Sequence, residues 1–227
     1  MEQSSEIAAS SGKRGAGGAS AARTVTRGIM RGLEEGRFVP GQRLVETELA
    51  SRFGVGRNAV REAIQWLSAQ GVIDVTRHRS PAIRLLEGEE ALEVLDVAER
   101  VIGLAARAAA ASMTREDRPR LRAALDAMQA ALTDDTPGAF SRARRHFYGA
   151  ILEIGGNREL QRMFPALGIH ILHAQYRVES SRAAQVGDLR NVVQAAAAGD
   201  AAQAEAAGRA YVTALGAAVR KMVGGSQ

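Results

Sequence analysis

Four polar side chains lie on one side of a short helical pattern, and their types are those that hydrogen-bond to DNA bases. They are Arg57, Asn58, Arg61 and Gln65, within RNAVREAIQWLSA at residues 57–69. Arginine can donate two hydrogen bonds to O6 and N7 of guanine, and an asparagine or glutamine amide can pair in the same way with N6 and N7 of adenine. Charged residues on a helix are more often only solvated. The neighbouring elements must therefore show whether this face contacts DNA or is only exposed to solvent.

The other side of this segment predicts a helix packed against a core. Its apolar residues follow the i, i+3, i+4, i+7 spacing of one helical face, at Val60, Ala63, Ile64 and Leu67. ETELASRF, at residues 46–53, predicts a short helix before it, ended by Gly54. A first helix is predicted from Ala22 to Gly36, where glycine ends an amphipathic pattern. The polar side chains would therefore project from the third of three helices.

A basic hairpin is predicted directly after the third helix. VIDVT and AIRLL are β-branched and aliphatic runs, and RHRSP joins them. The tip would place basic side chains against phosphate or a narrow minor groove, at Arg77, His78 and Arg79. Helix, turn, helix and basic hairpin in this order predict a winged helix-turn-helix over residues 22–86. Residues 1–21, rich in Gly, Ser and Ala, are predicted to be a flexible tail.

The remainder of the chain, residues 87–224, has an alanine-rich helical pattern with almost no strand character. Breaks at glycine and proline predict helices over 89–112, 115–133, 138–154, 157–182, 187–198 and 200–222. The predicted fold is thus mainly α, with three helices and a β-hairpin followed by an all-α bundle of six to seven helices.

Charge is concentrated in the first part of the chain. Residues 1–86 contain 13 Lys or Arg against 8 Asp or Glu, and the rest contains 17 of each, so the net charge of +5 belongs to the first part. This asymmetry favours a polyanionic partner for the N-terminal domain. The chain has no cysteine, and it has no apolar run long enough to span a bilayer. We expect a cytoplasmic protein without membrane contact.

One stretch resembles a known family. RLVETELASRFGVGRNAVREAIQWLSAQGVIDV is similar to the N-terminal domain of GntR-family bacterial transcription regulators, a likeness that covers roughly residues 22–85. The resemblance implies that Arg57 and Arg61 are the main operator contacts and that Asn58 and Ala59 face the DNA. Thr47 stands where the family frequently has a phosphate-binding arginine. The implied partner is double-stranded DNA with an inverted-repeat operator, bound by a homodimer.

The same comparison shows departures from the family pattern. Gly56 replaces the usual Ser or Thr, so a helix cap and a hydroxyl that could contact phosphate are missing. Ser80-Pro81 replaces a usual glycine in the wing. These changes leave the arginines in place, so we expect them to affect affinity and sequence preference.

The second domain resembles the FCD ligand-binding domain of the FadR subgroup, with RRHFYGAILEIGGNREL as its best-matching segment. Many FCD domains bind a divalent metal through one Asp and three His. The resemblance puts Arg142, Leu189 and Tyr211 at three of these positions and leaves only His146. No cofactor is therefore expected, and a divalent metal would need a ligand set that differs from that of the family.

In place of the metal, Arg142, His146 and Tyr211 are predicted to point into one cavity. An arginine among hydrogen-bonding groups in an apolar chamber suits a small acid. His170 and His173, at i and i+3, could line the same cavity or form a shifted metal site, and Leu189 would lie on the cavity wall. The alternative is a packed core without ligand, in which His146 is a buried histidine with its hydrogen bonds satisfied.

The function that follows is a DNA-binding regulator, a repressor whose operator affinity changes with a small carboxylate effector. One alternative is an architectural DNA-binding protein that needs no effector. Another is a metal-dependent enzyme that uses His146, His170 and His173. The sequence lacks a nucleophile elbow, a phosphate-binding glycine loop and paired carboxylates, so we predict that it is not an enzyme.

Overall fold

A computed structural model describes residues 3–76, 79–177 and 181–224, with side chains assigned from residue 19 onward. The chain divides into two compact units. The first contains residues 1–33 and 37–84, and the second contains residues 34–36 and 85–227.

The first unit contains three helices and a small antiparallel sheet: α1 Gln3–Glu35, whose last two residues are counted with the second unit, α2 Glu46–Phe53, α3 Arg57–Ala69, β1 Ile73–Asp74 and β2 Ala82–Ile83. Ile73 pairs with Ile83 and Asp74 with Ala82. The segment before α2 lies antiparallel beside β2. Arg43 forms an isolated β-bridge with Ala82, and the Leu44 amide donates to the Pro81 carbonyl at 2.7 Å. The predicted winged helix-turn-helix fold is confirmed.

The turn between α2 and α3 depends on Gly54. This residue has φ of +64°, the left-handed region that glycine enters without the clash of a side chain. Its N–H is directed at the carbonyls of Ala50 and Ser51, which ends α2 and redirects the chain. The apolar face of α3 then packs into the core, where Val60 and Leu67 have no exposed surface.

The start of α1 differs from the sequence-based expectation. Residues 1–21 were predicted to be a flexible tail, whereas the structure extends α1 back to Gln3. This segment has many alanines and no proline. Alanine has the highest helix propensity, which is compatible with a helical backbone over this segment.

The second unit is built from seven helices within its described residues: α4 Gly88–Ser112, α5 Asp117–Ala130, α6 Ala139–Gly155, α7 Arg158–Met163, α8 Ile169–Gln175, α9 Arg182–Ala198 and α10 Ala201–Gly224. α4 and α10 approach closely where Gly208 faces Gly103, since a Cβ on Gly208 would lie 3.1 Å from the Ile102 carbonyl oxygen. Among the described helices, none combines the length and apolar content needed to cross a membrane.

The predicted single helix over 157–182 is wrong. The structure breaks it into α7, a 3₁₀ turn at Phe164–Leu167, and α8. Pro165 cannot donate a backbone hydrogen bond, and Gly168 adopts φ of +72°. After this break, α8 places His173 in the interior of the unit.

Candidate DNA-binding surface and effector cavity

The outer face of α3 carries the side chains that the sequence singled out. Arg57, Asn58, Arg61 and Gln65 are all exposed, and they are spaced along one side of the helix. The helix begins after Gly56, whose backbone is extended and which makes no side-chain cap hydrogen bond. An exposed first turn with an arginine and an asparagine has the geometry of a helix that enters the major groove by its N-terminal end.

Other residues expected at the DNA are placed differently. Ala59 is buried, with 7% of its surface exposed, so the expectation that it faces the DNA is not met. It belongs instead to the apolar face of α3. Thr47 and Arg79 are exposed. Arg77 and His78 lie outside the described residues, so the contacts predicted for the wing tip stay predictions.

Arg61 has a partner that sequence reasoning missed. Its Nε donates to Oε2 of Glu46 at 2.8 Å, with 57% of the Arg61 side chain and 32% of the Glu46 side chain exposed. Because Glu46 holds Nε, the two terminal nitrogens of Arg61 stay available as a pair of donors. Glu46 is in the first turn of α2, where a carboxylate is favoured by the helix dipole. In the sequence, an acidic residue at this position predicts only where the helix begins, and it gives no indication that Arg61 is its partner.

The interior of the second unit contains a cluster of polar side chains. Arg144 and Tyr148 are buried on α6, His173 on α8, Gln185 on α9, and Tyr211 on α10. Arg144 falls on the buried stripe of α6 because it lies four residues after Phe140 and four before Tyr148. That periodicity was the available sequence signal, and it places Arg144 inside although arginine is rarely buried.

Hydrogen bonds join three members of this cluster. The Tyr148 hydroxyl lies 2.8 Å from the Tyr211 hydroxyl and 3.3 Å from Nε2 of His173. Burial raises the pKa of Tyr148 and of Tyr211, and it lowers the pKa of His173 well below its usual value. All three are therefore neutral near pH 7, so Arg144 is the charged member of the group.

Arg144 is a buried cation without an ion-pair partner among the described residues. Only 8% of its surface is exposed, and burial lowers the pKa of its guanidinium. An arginine remains protonated even so. Its guanidinium carbon lies 5.5 Å from the centroid of the Phe140 ring, and Glu34 is near enough to act on its pKa without forming an ion pair. Burying a charge without an ion-pair partner is costly, so the arrangement favours an anion.

Arg144 lines a cavity of about 310 Å³ in the second unit. Other residues of its wall that carry hydrogen-bonding or charged groups include His173, Tyr176, Arg177, Arg182 and Gln185. The volume is that of a site for a small molecule. Tyr148 and Tyr211 are not part of this wall; Tyr148 hydrogen-bonds to Nε2 of His173, and Tyr211 in turn hydrogen-bonds to Tyr148.

The pocket residues expected from the sequence are not brought together. His146 is exposed, and Arg142 is half-buried with its Nη1 donating to the Pro137 carbonyl at 2.6 Å. Leu189 and Tyr211 are buried, and His170 is half-buried away from the cavity wall. The expectation that Arg142, His146 and Tyr211 share a cavity is therefore wrong. On α6 the inward-facing pair is Arg144 and Tyr148, two residues further along the helix.

The donors in this interior do not fit a divalent metal. Arg144 would repel a cation, and the two buried tyrosines keep their protons, so the cluster is left with only His173 and the amide oxygen of Gln185 as ready ligands. No group of three or more His, Cys, Asp or Glu side chains with metal-binding placement occurs among the described residues.

The buried state of His173 predicts how stability depends on pH. Because its pKa is lowered in the folded state, the unfolded chain binds the proton more readily below about pH 6.5, the usual value for histidine. The free energy of unfolding should therefore fall as the pH drops through 6.5, by at most about 1.4 kcal/mol per pH unit from this group. His173→Gln should flatten the curve of unfolding free energy against pH, measured by urea denaturation.

The exposed His146 supplies the control for this measurement. His146→Gln should leave the pH slope close to that of the unaltered protein. Equal slopes for His173→Gln and the unaltered protein would show that His173 is not held neutral by burial.

Together these features define the class of protein. A winged helix-turn-helix with arginine, asparagine and glutamine side chains exposed on its third helix, joined to a helical domain with a polar cavity, is the architecture of a DNA-binding regulator. Comparison with known proteins agrees. Residues 21–83 match the model of bacterial regulatory proteins of the gntR family, and residues 93–214 match the FCD domain. The chain belongs to the GntR family of transcriptional regulators and carries an FCD domain.

Individual relatives support this assignment. An HTH-type transcriptional regulator of Mycobacterium tuberculosis is 31% identical over 207 residues, which cover 79% of this chain and 81% of that protein. A probable D-xylose utilization operon transcriptional repressor of Paenarthrobacter nicotinovorans is 27% identical over 144 residues. That match spans 63% of each chain, just under two thirds of the relative's length.

Solved structures share the fold. E. coli McbR/YncC has a TM-score of 0.77 at 19% identity, covering 89% of this chain and 98% of that one. A GntR transcriptional regulator from Rhodococcus sp. RHA1 has a TM-score of 0.68 at 20% identity, covering 88% and 97%.

Proposed function

We propose that this protein is a transcription repressor that binds an inverted-repeat operator as a homodimer and responds to a small carboxylate. The exposed face of α3 supports specific DNA binding, since Arg57, Arg61 and Asn58 are free of the core and suited to base edges. Two similar proteins carry operon names, a D-xylose utilization repressor and the Uxu operon transcriptional regulator of Escherichia coli. DNA as the partner also favours the cytoplasm as the site of action.

The observation that carries the effector proposal is Arg144. It is buried at a cavity wall and has no carboxylate partner among the described residues, so a ligand carboxylate would supply the missing charge. Charge-assisted hydrogen bonds to a guanidinium are strong and geometrically specific. We therefore assign the carboxylate to Arg144 directly, without a divalent metal.

The response to ligand follows from linkage. A carboxylate that binds more tightly to one conformation of the protein shifts the population toward that conformation. The change in operator affinity is limited by the difference between the ligand's affinities for the two states. A two-fold dimer presents two copies of α3, and an inverted repeat matches that symmetry.

The proposal is tested by selecting bound duplexes from a random DNA library and then titrating small carboxylates. We expect an inverted repeat, stoichiometry of one dimer per site, and a carboxylate that raises the melting temperature and changes operator affinity. Specific DNA binding that no carboxylate alters would instead indicate an architectural DNA-binding protein. Failure to enrich any sequence would contradict the regulator proposal itself.

Glu46 should control specificity more than affinity. Glu46→Gln weakens the hold on Nε of Arg61 and removes a negative charge near the DNA phosphates. Binding to a scrambled duplex should therefore tighten, and the ratio of operator to scrambled affinity should fall by roughly 10-fold, the size of a moderate base-specific contact. Fluorescence anisotropy with both duplexes at one salt concentration measures this ratio.

Glu48→Gln is the matched control for this variant. It removes the same charge from the same helix at an exposed position. The control should tighten binding to both duplexes equally. An equal loss of discrimination in the two variants would mean that the Glu46–Arg61 pair does not position the arginine.

A further inference from the structure

A side chain of α8 holds the backbone of the joining segment, residues 84–87, which leads from the first unit to α4. These residues form neither helix nor strand. The Leu86 N–H donates to Oε1 of Gln175 at 2.9 Å, and Nε2 of Gln175 donates to the Leu86 carbonyl at 2.6 Å. Both backbone groups of Leu86 are therefore paired, as they would be with a neighbouring strand.

The joining segment is anchored on both sides of Leu85. The Arg84 N–H donates to the Val72 carbonyl in the first unit at 2.9 Å, and Leu86 is held by Gln175 in the second. Leu86 is also buried, whereas Leu85 is 49% exposed. One residue between two anchored neighbours has few free backbone torsions, because each residue contributes only φ and ψ. Loss of the Gln175 bonds would lengthen the free part of the segment toward α4.

We propose that Gln175 is a positioning residue for operator binding, which keeps the joining segment short and thereby sets the half-site spacing that the homodimer accepts. The inference rests on the proposed function, since it takes a dimer on an inverted repeat as given. When two DNA-binding units are tethered, the second binds at an effective concentration that depends on the length and stiffness of the tether. A short, stiff tether favours one spacing, whereas a longer one accepts several.

Other contacts limit the size of the expected effect. Residues 34–36 are also counted with the second unit, where Glu34 pairs with Arg145 at 2.5 Å. The Arg145 side chain is 62% exposed, so solvent screens this ion pair. The burial of Leu86 persists when Gln175 is replaced. Loss of the two bonds should therefore loosen the joining segment without releasing it, which corresponds to a change of about 3- to 10-fold in affinity.

Gln175→Met is the informative variant because it keeps the length of the side chain and removes both hydrogen bonds. Gln161→Met is its matched control, since Nε2 of Gln161 also donates to a backbone carbonyl, that of Leu152 on α6, at 3.0 Å. Gln175→Glu keeps the acceptor for the Leu86 N–H but loses the donor to the Leu86 carbonyl, so its effect should be intermediate. It replaces Gln175→Met if that variant does not fold, as judged by melting temperature.

Operators with altered spacing test the proposal on the full-length protein. The duplexes are the selected inverted repeat, a single half-site, and inverted repeats whose spacer is one or two base pairs longer or shorter. Each added base pair also turns one half-site by about 35° around the DNA axis. The unaltered protein and Gln161→Met should prefer the selected spacing. Gln175→Met should bind that spacing about 3- to 10-fold more weakly, lose preference among spacings by a similar factor, and bind the half-site as before.

Trypsin cleavage after Arg84 measures the joining segment without DNA. A protease cuts a folded protein where the backbone opens locally, so the rate follows the population of the open form. Mass spectrometry of the fragments should show faster cleavage after Arg84 in Gln175→Met than in the unaltered protein or in Gln161→Met. An unchanged rate would mean that the Gln175 bonds do not hold the segment, which would overturn the inference.

The spacing series separates failure of this inference from failure of the proposed function. If the unaltered protein binds the inverted repeat no better than the half-site, the proposed dimer on an inverted repeat fails, and the role of Gln175 fails with it. If the unaltered protein prefers one spacing and Gln175→Met keeps that preference, only the role of Gln175 is overturned. An equal loss in Gln161→Met, or a parallel loss of half-site binding in Gln175→Met, would indicate general destabilisation and would also overturn it.

Discussion

Replacing Arg57 and Arg61 together by alanine is expected to lower affinity for the operator by roughly 30-fold to more than 10,000-fold. Each bidentate contact to a base contributes about 1–3 kcal/mol of discrimination, and two such losses add when the sites act independently. Both side chains are exposed on α3, outside the packed face formed by Val60 and Leu67. The double variant should therefore fold normally while losing sequence preference.

Fluorescence anisotropy with the operator and a scrambled duplex measures the effect at one fixed salt concentration, because phosphate contacts make all affinities depend on salt. Circular dichroism and melting temperature check the fold. The matched control is Arg118→Ala with Arg122→Ala, which removes two exposed positive charges from α5 in the second unit. The control should keep the ratio of specific to nonspecific binding.

Two results would contradict this placement of the recognition helix. The first is full sequence discrimination in the Arg57 and Arg61 double variant. The second is an equal loss in the α5 control, since that would mean net charge alone determines binding.

Replacing Arg144 by methionine should abolish the carboxylate response while leaving the ligand-free protein as stable as before or more stable. Removing a buried charge that forms no ion pair with any described residue relieves a desolvation penalty, and methionine fills a similar apolar volume. Removing the partner of a buried ligand carboxylate costs about 3 kcal/mol or more, which is roughly a 100-fold or greater loss in affinity. Melting temperature with and without carboxylate measures both effects.

Arg142→Met is the control that separates the structure-based assignment from the one that the sequence favoured. Arg142 is on the same helix, but it is half-buried and donates to the Pro137 carbonyl. We expect this variant to keep most of the carboxylate response. Loss of the response in Arg142→Met, together with its retention in Arg144→Met, would refute the assignment to Arg144.

The first unit was largely predictable because its local patterns and its fold agree. Helix bounds of 46–53 and 57–69 were predicted from apolar spacing and glycine positions, and the structure has the same bounds. The exposed arginines followed from the same periodicity, since a helix that buries Val60 and Leu67 must turn Arg57 and Arg61 outward. The family resemblance erred at Ala59, which periodicity alone would have assigned to the buried face.

The second unit was predictable as a set of helices but not as a site. Helix boundaries at Gly138, Gly156 and Gly199 follow from glycine in the left-handed conformation. A motif-based alignment assigned the pocket to Arg142 and His146, and a shift of two residues turns side chains to the opposite face of a helix. The break at Pro165 and Gly168 also changed which residues of the following segment reach the interior.

By itself, the sequence determined the class of this protein: a basic winged helix-turn-helix with outward arginines, followed by a helical FCD domain. These features depend on local propensity and periodicity, which are encoded over short stretches. Only the tertiary structure decided that Glu46 holds Arg61 and that Arg144, His173 and Gln185 line one cavity. The physical reason is that such groupings come from different helices, whose relative rotation and offset are set by the packing of the whole core.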